Sequence, residues 1–356
     1  MVRLALIFGG RSAEHEISLA SARFVSSMLD RERYRVVPVG ITAAGCWVVP
    51  DDLDEALSKG LDRAPSRPAH LVADPVRPGL QIEGEPFTEL DFAFPIMHGT
   101  FAEDGTIQGL LEMAGLAYAG SGVVASSVGM DKEIMKAVFA AAGLPQVDYL
   151  VLRDDERLGA AAVTAVESSL AYPVFVKPAN LGSSVGMTKA HDRAELVPAL
   201  ELAAAFDRKV VVEASSRGRE LECSLLGDET PRASLAGEVI PANEFYDFEA
   251  KYTEGKMEFV IPAPVGDAVQ ARTQELAVAA FKAIDASGFA RCDFFYEEAS
   301  GEVLVNEINT IPGMTAMSGF PRLWAASGVD GAALVDEIVR LGLERRRRLA
   351  ALTTAR

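Results

Sequence analysis

The segment that most constrains the fold is a predicted β-hairpin near the carboxyl end of the chain. Residues 291–294 supply its first strand, and the stretch 305–315, which follows across a short glycine-containing turn, begins with the second. The first strand carries Asp293, and the second carries Glu307 and Asn309, two positions apart. Alternate residues of a strand point to the same face, so these oxygen-bearing side chains can converge. Mg²⁺ selects such an all-oxygen shell, although a carboxylate pair on a hairpin is by itself more often a solvated strand edge.

A second segment favours the metal interpretation. A β-rich run over residues 172–178 delivers Lys177, and the Gly/Ser-rich loop 179–187 follows it. The backbone N–H groups and hydroxyls of such a loop suit phosphate oxygens, and the lack of a Gly-Lys-Ser/Thr ending excludes a P-loop. A Gly/Ser loop alone is usually only a turn. Together, the lysine, the loop and the hairpin indicate a nucleotide phosphate site at which one or two metal ions bridge the phosphates.

The chain is long enough for more than one hydrophobic core. Its 356 residues predict two or three domains, and its 49% hydrophobic and 24% charged residues are typical of a soluble globular protein. The formal net charge of −17 argues against a nucleic-acid or an anionic membrane partner, because both require clustered Lys and Arg. We therefore expect local lysines and metal ions to meet the phosphates.

The cysteines and the apolar runs bear on location. Cys46, Cys223 and Cys292 are odd in number and lack CxxC spacing, which predicts free thiols rather than a disulfide framework or a zinc site. No apolar run reaches membrane-spanning length, and the run over residues 4–8 is too short for a signal peptide. We therefore expect a cytoplasmic protein.

The order of elements predicts a parallel α/β sheet at the start of the chain. Apolar strands and amphipathic helices alternate there, with strands over 2–8, 36–41 and 92–97 and helices over 18–29 and 106–114. Residues 45–90 interrupt this order and predict a peripheral insertion. Parallel strands end at a common ligand crevice, so we expect Glu14 and His98 to face one site.

Two boundaries divide the chain into three predicted units. A run of small residues precedes the first boundary, near residue 128, and the second boundary lies near residue 218. The prediction is a first unit over 1–128, a central unit over 129–218 with the phosphate-covering loop, and a third unit over 219–356 with the metal hairpin.

Further motifs run along the chain in a fixed order. They are Gly9-Gly10-Arg11-Ser12-Ala13-Glu14-His15-Glu16-Ile17-Ser18, His98-Gly99, Glu103-Asp104-Gly105, Gln108-Gly109, Gly129-Met130-Asp131-Lys132, Gly182-Ser183-Ser184-Val185-Gly186-Met187 and Phe245-Tyr246-Asp247-Phe248-Glu249-Ala250-Lys251-Tyr252. With the hairpin, they resemble the D-alanine–D-alanine ligases of the ATP-grasp superfamily. The resemblance implies an α/β fold, α+β in part, with a three-domain ATP-grasp architecture. In it, an N-terminal parallel-sheet α/β domain precedes two ATP-grasp subdomains.

The resemblance also implies a reaction and its partners. One D-alanine carboxylate attacks the γ-phosphate of ATP, and the amine of a second D-alanine captures the resulting acyl phosphate, which supplies D-alanyl-D-alanine for peptidoglycan precursors. ATP would be the co-substrate, and two Mg²⁺ or Mn²⁺ ions would be held by the three hairpin residues, Asp293, Glu307 and Asn309. The expected oligomer is a homodimer.

Residues that contact ATP in this family have counterparts here. Lys136 and Lys177 correspond to phosphate lysines, and Glu213 and Glu220 correspond to adenine and ribose contacts. The counterparts of two further nucleotide contacts are Ser183 in the loop and Lys251.

The resemblance assigns the substrate residues as well. Glu14 would receive the ammonium group of the first D-alanine with His98 nearby, and Ser318 with Lys251 would receive the second carboxylate. Arg291 and the N–H of Gly313 would stabilise the tetrahedral oxyanion. Ser183 and Tyr252 would form a hydrogen-bonded pair that closes a lid and, with Glu14, orients the attacking amine.

Two positions depart from the family pattern. Ala102 replaces the second glycine of the His-Gly-x-x-Gly-Glu-Asp-Gly loop, which would strain the loop if positive φ were required there. Phe248 replaces a frequent tyrosine, with little expected consequence, because Lys251 and Tyr252 are retained.

Three alternative functions differ in what they require of the sequence. A D-alanine–D-lactate or D-serine ligase shares the nucleotide residues, and the intact Lys251-Tyr252 pair disfavours the ester-forming one. A dinucleotide-dependent oxidoreductase would need G-x-G-x-x-G, which residues 9–13 lack. A non-catalytic nucleotide-binding module would not need Arg291 and the hairpin carboxylates.

Overall fold

The computed structural model describes residues 1–241 and 257–352, which build three β-sheets. The first sheet has eight strands, β1 (Val2–Gly9), β2 (Tyr34–Ile41), β3 (Trp47–Pro50), β4 (Ser66–Val72), β5 (Gly79–Ile82), β6 (Thr88–Glu89), β7 (Phe92–Pro95) and β8 (Ala117–Tyr118), in the order β6-β5-β4-β3-β2-β1-β7-β8. Its helices are α1 (His15–Met28), α2 (Leu53–Lys59), α3 (Thr106–Met113) and α4 (Val123–Met130).

The first sheet is parallel in its centre and antiparallel at one edge. Strands β2, β1, β7 and β8 are parallel neighbours, as the sequence predicts. The predicted insertion supplies β3 to β6, which add antiparallel strands to the same sheet. In β1, Leu4 and Phe8 pack into one core and Ala5 and Ile7 into another. The continuous apolar run of β1 therefore arises because both faces of the strand are covered.

The second sheet is antiparallel throughout. Its strands are β9 (Tyr149–Arg153), β10 (Val174–Pro178), β11 (Thr188–Ala190) and β12 (Lys209–Ala214), in the order β11-β10-β12-β9, and α6 (Gly159–Ser169) and α7 (Arg193–Phe206) pack against it. The helix α5 (Lys132–Ala141) precedes β9, but its Met135 and Phe139 pack in the core of the third sheet. Asp131 caps α5 and Asp192 caps α7 by accepting backbone N–H hydrogen bonds. The first residue of α5, Lys132, donates its N–H to the Ala179 carbonyl, so the start of this helix is held beside the phosphate loop.

The third sheet carries the predicted hairpin. Its strands are β13 (Arg219–Gly227), β14 (Arg232–Pro241), β15 (Met257–Val260), β16 (Gly288–Glu297) and β17 (Glu302–Asn309), in the order β15-β14-β13-β16-β17, and the helices that follow β15 and β17 are α8 (Asp267–Ala283), α9 (Gly319–Ala326) and α10 (Gly331–Ala350). Cys223 of β13 lies opposite Cys292 of β16, and both thiols are buried and free. The sequence prediction of free thiols is confirmed for these two residues and for Cys46.

The last helix, α10, returns to the first sheet. Ile338 and Val339 share a core with Leu4 and Phe92, and Arg345 stacks over the ring of Tyr118 at 4.1 Å. The sequence grouped α10 with the third unit, whereas its apolar face packs across β8 of the first sheet. The helix α4 spans the boundary predicted near residue 128, and the domain boundaries stay predictions. No helix of the described ranges could cross a membrane.

Candidate active site

A cleft of about 460 Å³ lies between the second and third sheets. Its walls are the phosphate loop that follows β10, the linker before β13, and the facing parts of β13, β16 and β17. The charged residues that line it include Lys132, Lys177, Glu220, Asp293 and Glu307. Lysines stand opposite hairpin carboxylates, which is the charge distribution expected where phosphates and cations bind together.

The carboxylate of Glu213 joins the two lysines that the sequence predicted. Lys177 Nζ donates to Glu213 Oε2 at 2.7 Å, and Lys136 Nζ lies 3.2 Å from Glu213 Oε1. Lys136 is fully buried and is not among the residues of the cleft wall. Its contact with Glu213 links it to Lys177, which does line the cleft. The predicted adenine contact of Glu213 stays a prediction, because both of its oxygens face lysines here.

Burial and pairing determine the charges of this group. Burial alone would raise the pKa of Glu213, but Lys136 and Lys177 outweigh it and lower the pKa to about 2. Burial lowers the pKa of Lys136, although the nearby carboxylate of Glu213 favours the charged form and partly offsets this effect. For Lys177 the carboxylates of Glu213 and Glu307 outweigh burial, so its pKa is raised. Lys177 therefore presents a stable positive charge at the cleft.

A further lysine, Lys132, lines the cleft and was not predicted as a site residue. Its Nζ donates to the Leu181 carbonyl of the phosphate loop at 2.7 Å and lies 3.8 Å from Glu307 Oε2. The signal was available, because Lys132 ends the Gly129-Met130-Asp131-Lys132 motif. Lys132 and Lys136 are four residues apart and lie on one face of α5. Lys132, at the helix start, lines the cleft, whereas Lys136, one turn later, is fully buried.

The hairpin residues fit divalent cations. Asp293 and Glu307 are directly opposite each other across β16 and β17, and both line the cleft. Asn309 lies opposite Arg291, and its Oδ1 accepts the Ile311 N–H at 3.0 Å, which leaves a second lone pair. The donor set is thus two carboxylates and an amide oxygen, which suits hard cations if substrate oxygens complete the shell.

A β-bulge sets the orientation of this hairpin. The pairing shifts between Asp293 and Phe294, so Asn306 is the extra residue on β17. Both Asn306 and Glu307 line the cleft, although neighbouring residues of a regular strand point to opposite faces. The sequence predicted Glu307 on a strand of this hairpin, where the structure has it, but it contained no signal for the bulge.

Arg291 is held by two carboxylates beside the hairpin. Its Nε and Nη2 donate to the two oxygens of Asp293 at 2.7 Å each, and its Nε lies 3.5 Å from Glu222 Oε1. Glu222 lines the cleft and was not predicted as a site residue, although its two-residue spacing from the predicted Glu220 places both on one strand face. The guanidinium is therefore fixed next to the proposed metal ligands.

Glu14 lies where the first sheet meets the phosphate loop. It occupies the N-cap position of α1, but its side chain does not cap the helix. Its Oε1 accepts a hydrogen bond from the Ser183 hydroxyl, and a Cβ added to Gly99 would lie 2.5 Å from its Oε2. Gly99 has φ +73°, so the conformation and the close carboxylate both favour glycine there. The half-buried Ser183 and the buried Glu14 form one polar unit at the edge of the cleft.

His98 is buried beside this unit. Its Nε2 lies 2.9 Å from Ser21 Oγ, and its Nδ1 lies 3.1 Å from the Ile311 carbonyl and 3.4 Å from Glu103 Oε1. Burial would lower the pKa of His98, but Glu103 outweighs it and the pKa is raised; burial also raises the pKa of Glu103. The pair therefore retains a proton to higher pH than either group would alone.

The loop between β17 and α9 carries the other predicted substrate residues. Ser318 accepts the Thr315 N–H at 3.0 Å, and a Cβ added to Gly313 would lie 3.0 Å from Ser318 Oγ. Gly313 thus allows the backbone and the Ser318 hydroxyl to approach each other closely. The loop places both residues near the carboxyl end of β17, beside Asn309.

The loop with the unusual alanine is strained at a different residue. Phe101 has φ +69°, whereas Ala102 is not among the positive-φ residues and is fully buried. The condition for strain at Ala102 is therefore not met, because the left-handed conformation falls one residue earlier. Lys251, Tyr252 and Phe248 lie outside the described residues.

Comparison with known proteins identifies the family. The model of the D-ala D-ala ligase N-terminus matches residues 3–121, and that of the D-ala D-ala ligase C-terminus matches residues 138–340. A D-alanine--D-alanine ligase of Heliobacterium modesticaldum is 47% identical over 350 residues, which cover 97% of this chain and 95% of the relative. The chain belongs to the D-alanine–D-alanine ligase family.

Solved structures of this family share the whole architecture. The D-alanine-D-alanine ligase of Coxiella burnetii is 33% identical, with a TM-score of 0.87 over 98% of this chain and 96% of that chain. The VanG D-Ala:D-Ser ligase of Enterococcus faecalis also has a TM-score of 0.87 at 33% identity, over 96% of this chain and 99% of that chain. The predicted ATP-grasp fold is confirmed, but fold similarity alone does not separate products within this family.

Proposed function

We propose that this ligase joins two D-alanines to D-alanyl-D-alanine, with ATP as the source of energy and a D-alanyl phosphate as the intermediate. A free carboxylate is a poor acyl donor, and phosphorylation converts one of its oxygens into a leaving group. The observation that carries the proposal is the hydrogen bond from Ser183 to Glu14. It brings a carboxylate that can receive an ammonium group next to a phosphate-binding loop, so one amino acid can be bound and activated at the same place.

The nucleotide phosphates would be met from two elements. Lys177 extends from β10 and Lys132 from the start of α5, and both line the cleft. Lys136 would act through Glu213, which keeps the buried charges balanced. The side chain of Glu220 lines the cleft at the linker and is assigned to the ribose. Lys251 is assigned to the nucleotide by sequence resemblance alone.

Two Mg²⁺ or Mn²⁺ ions would be held by Asp293, Glu307 and Asn309. When bound, such ions neutralise the transferring phosphoryl group and orient it for in-line transfer. The hairpin residues hold and orient this site, since the bulge at Asn306 directs Glu307 into the cleft opposite Asp293. Lys132 and Arg291 lie on either side of these carboxylates and limit their mutual repulsion.

The second step would depend on Arg291 and the loop after β17. Attack of the second amine on the acyl phosphate places negative charge on the former carbonyl oxygen. The guanidinium of Arg291 and the N–H of Gly313 would stabilise that charge, and Ser318 would receive the second carboxylate. Glu14 and Ser183, with Tyr252, would orient the incoming amine.

The proposal includes a homodimer and a cytoplasmic location. The homodimer is supported by the exposed apolar side chains of Met113 and Val124, on the adjacent helices α3 and α4. The cytoplasmic location is supported by the free thiols.

A product assay tests this function. The full chain is incubated with ATP, Mg²⁺ and D-alanine, and ADP and dipeptide are quantified, with parallel reactions that offer D-alanine with D-lactate or with D-serine. We expect one ADP for each D-alanyl-D-alanine and little ester or mixed dipeptide. ATP turnover without D-alanine dependence would contradict the proposal, and preferential D-alanyl-D-lactate or D-alanyl-D-serine formation would replace it.

A further inference from the structure

A single histidine contacts the loop after β17 at two points. His98 Nδ1 lies 3.1 Å from the carbonyl oxygen of Ile311, and its Nε2 lies 2.9 Å from Ser21 Oγ. The same Ser21 oxygen accepts the Met314 N–H at 3.3 Å. Gly313 lies between these two attachment points. The imidazole and the Ser21 hydroxyl therefore fix both sides of the segment that carries the proposed oxyanion donor.

The hydrogen bonds that Ser21 can form determine which atoms donate and which accept in the contacts between Met314, Ser21, His98 and Ile311. Met314 N–H can only donate, so Ser21 Oγ accepts that bond and keeps its own proton for another acceptor. Within residues 1–241 and 257–352, the acceptor in hydrogen-bond distance of that proton is His98 Nε2. In the neutral imidazole Nε2 then carries no proton, and the proton on Nδ1 is donated to the Ile311 carbonyl, with Glu103 Oε1 3.4 Å from the same nitrogen. The Ser21 hydroxyl and both ring nitrogens of His98 each have a partner in this arrangement.

Burial makes this arrangement rigid. Ser21 and Met314 are fully buried, and Ile311 and His98 are at most 3% exposed. Water cannot replace a lost partner at these depths, so a buried N–H that loses its acceptor is costly. Ser21 is not among the residues that line the cleft, and no sequence motif distinguishes it from the other serines of α1.

We propose that Ser21 is a positioning residue of the ligase reaction, which holds the segment from Ile311 to Met314, and with it the Gly313 N–H, through His98. The proposal rests on the proposed function, since it assigns Ser21 to the oxyanion step. It also gives His98 a second task besides proximity to the first D-alanine, because the imidazole links the Glu14 region to the oxyanion loop.

A spectroscopic experiment tests the arrangement without any substrate. The full chain contains four histidines, so a long-range ¹H–¹⁵N spectrum of protein labelled with ¹⁵N-histidine can be assigned by comparison with His98→Gln. Because Glu103 raises the pKa of His98, the spectra are recorded above that pKa, where we expect the neutral imidazole with its proton on Nδ1. In Ser21→Ala, the Nε2 resonance should shift towards that of an unbonded acceptor. Ser26→Ala on the same helix, whose hydroxyl contacts Arg31 instead, should leave it unchanged.

Kinetics test the role of the arrangement. Ser21→Ala should lower kcat for dipeptide formation by roughly tenfold, because displacement of the oxyanion donor slows the step it serves. The KM for ATP should stay within about twofold, since the nucleotide cleft is untouched. Ser26→Ala should match the wild-type protein in both constants.

The outcomes separate this inference from the proposed function. A neutral imidazole with its proton on Nε2 in the wild-type protein, or an unchanged His98 spectrum in Ser21→Ala, would overturn the inference whatever the enzyme makes. Equal kcat losses in Ser21→Ala and Ser26→Ala would also overturn it. Absence of ligase activity in the wild-type protein would instead remove the proposed function and leave the spectrum to decide the hydrogen-bond chain.

Discussion

The hydroxyl of Ser183, in the loop after β10 of the second sheet, donates a hydrogen bond to the carboxylate of Glu14, at the start of the helix that follows β1 of the first sheet. Glu14 stands at the N-cap of α1 without capping it, so the side chain is used for this contact at the expense of the helix end. The bond links the phosphate loop to the residue proposed to receive the first substrate.

Ser183→Ala should therefore impair D-alanine use more than ATP use. Loss of a hydrogen bond to a charged group is worth about 1.5–3 kcal/mol in kcat/KM for D-alanine. Glu14→Gln should have a similar or larger effect, and the double variant should be less than additive because both changes remove one contact. Strict additivity of the three measured kcat/KM values would contradict a functional contact between these residues.

Of the two α5 lysines, substitution of Lys132 should mainly affect the KM for ATP, and substitution of Lys136 should mainly affect the free energy of unfolding. Lys132→Met should raise the KM for ATP, because Lys132 lines the cleft, and should lower the free energy of unfolding by less than about 1 kcal/mol. Lys136→Met should lower the free energy of unfolding by about 1–3 kcal/mol, because Lys136 is fully buried against Glu213. Urea unfolding and ATP titrations measure the two quantities. A raised KM with unchanged stability in Lys136→Met would place Lys136 on the nucleotide.

Glu307→Gln should remove most of the turnover, by more than about tenfold, because one ligand charge is lost from the proposed metal site. Binding of Mn²⁺ in the presence of ADP, followed by electron paramagnetic resonance, should weaken in parallel. Glu302→Gln is the matched control, since Glu302 is exposed at the far end of the same strand. Normal Mn²⁺ binding by Glu307→Gln would exclude this carboxylate as a ligand.

Arg291→Ala should lower kcat far more than it changes the KM for ATP. A donor to an oxyanion is typically worth about 2.7–4 kcal/mol, which corresponds to a loss of roughly 10²–10³-fold. Arg272→Ala, which removes an exposed arginine of α8, serves as the control. If Arg291→Ala instead raised the KM for ATP at unchanged kcat, the guanidinium would serve nucleotide binding.

Glu213→Gln should destabilise the protein in a pH-dependent way. The folded pKa of Glu213 is lowered to about 2, so its stabilisation is present above the unfolded value of about 4.3 and is lost as pH falls through about 2. At pH 7 the variant leaves two buried lysines without their carboxylate and should lose about 3–5 kcal/mol. The difference from the wild-type protein, measured by urea unfolding, should be constant above about pH 5 and shrink below it. A difference that grows at acid pH would contradict the assignment.

The sequence alone determined the order of many elements and supplied the candidate site residues. Continuous apolar runs such as residues 4–8 predict buried strands, and the helix predicted over residues 106–114 begins where α3 begins. Lys177, Asp293 and Glu307 were placed in one site because short motifs specify local backbone and the chemistry of the side chains together. These are local signals, so the chain carries them without its partners.

Only the tertiary structure decided which of these residues touch. Ser21 and Met314 are 293 positions apart, and their contact depends on how α1 packs against the loop after β17. The choice between Lys132 and Lys136 is similar, because both follow one cap and only the packing of α5 turns one to the cleft and the other to Glu213. Burial and long-range pairing arise from the packing of distant elements, and no local pattern specifies them.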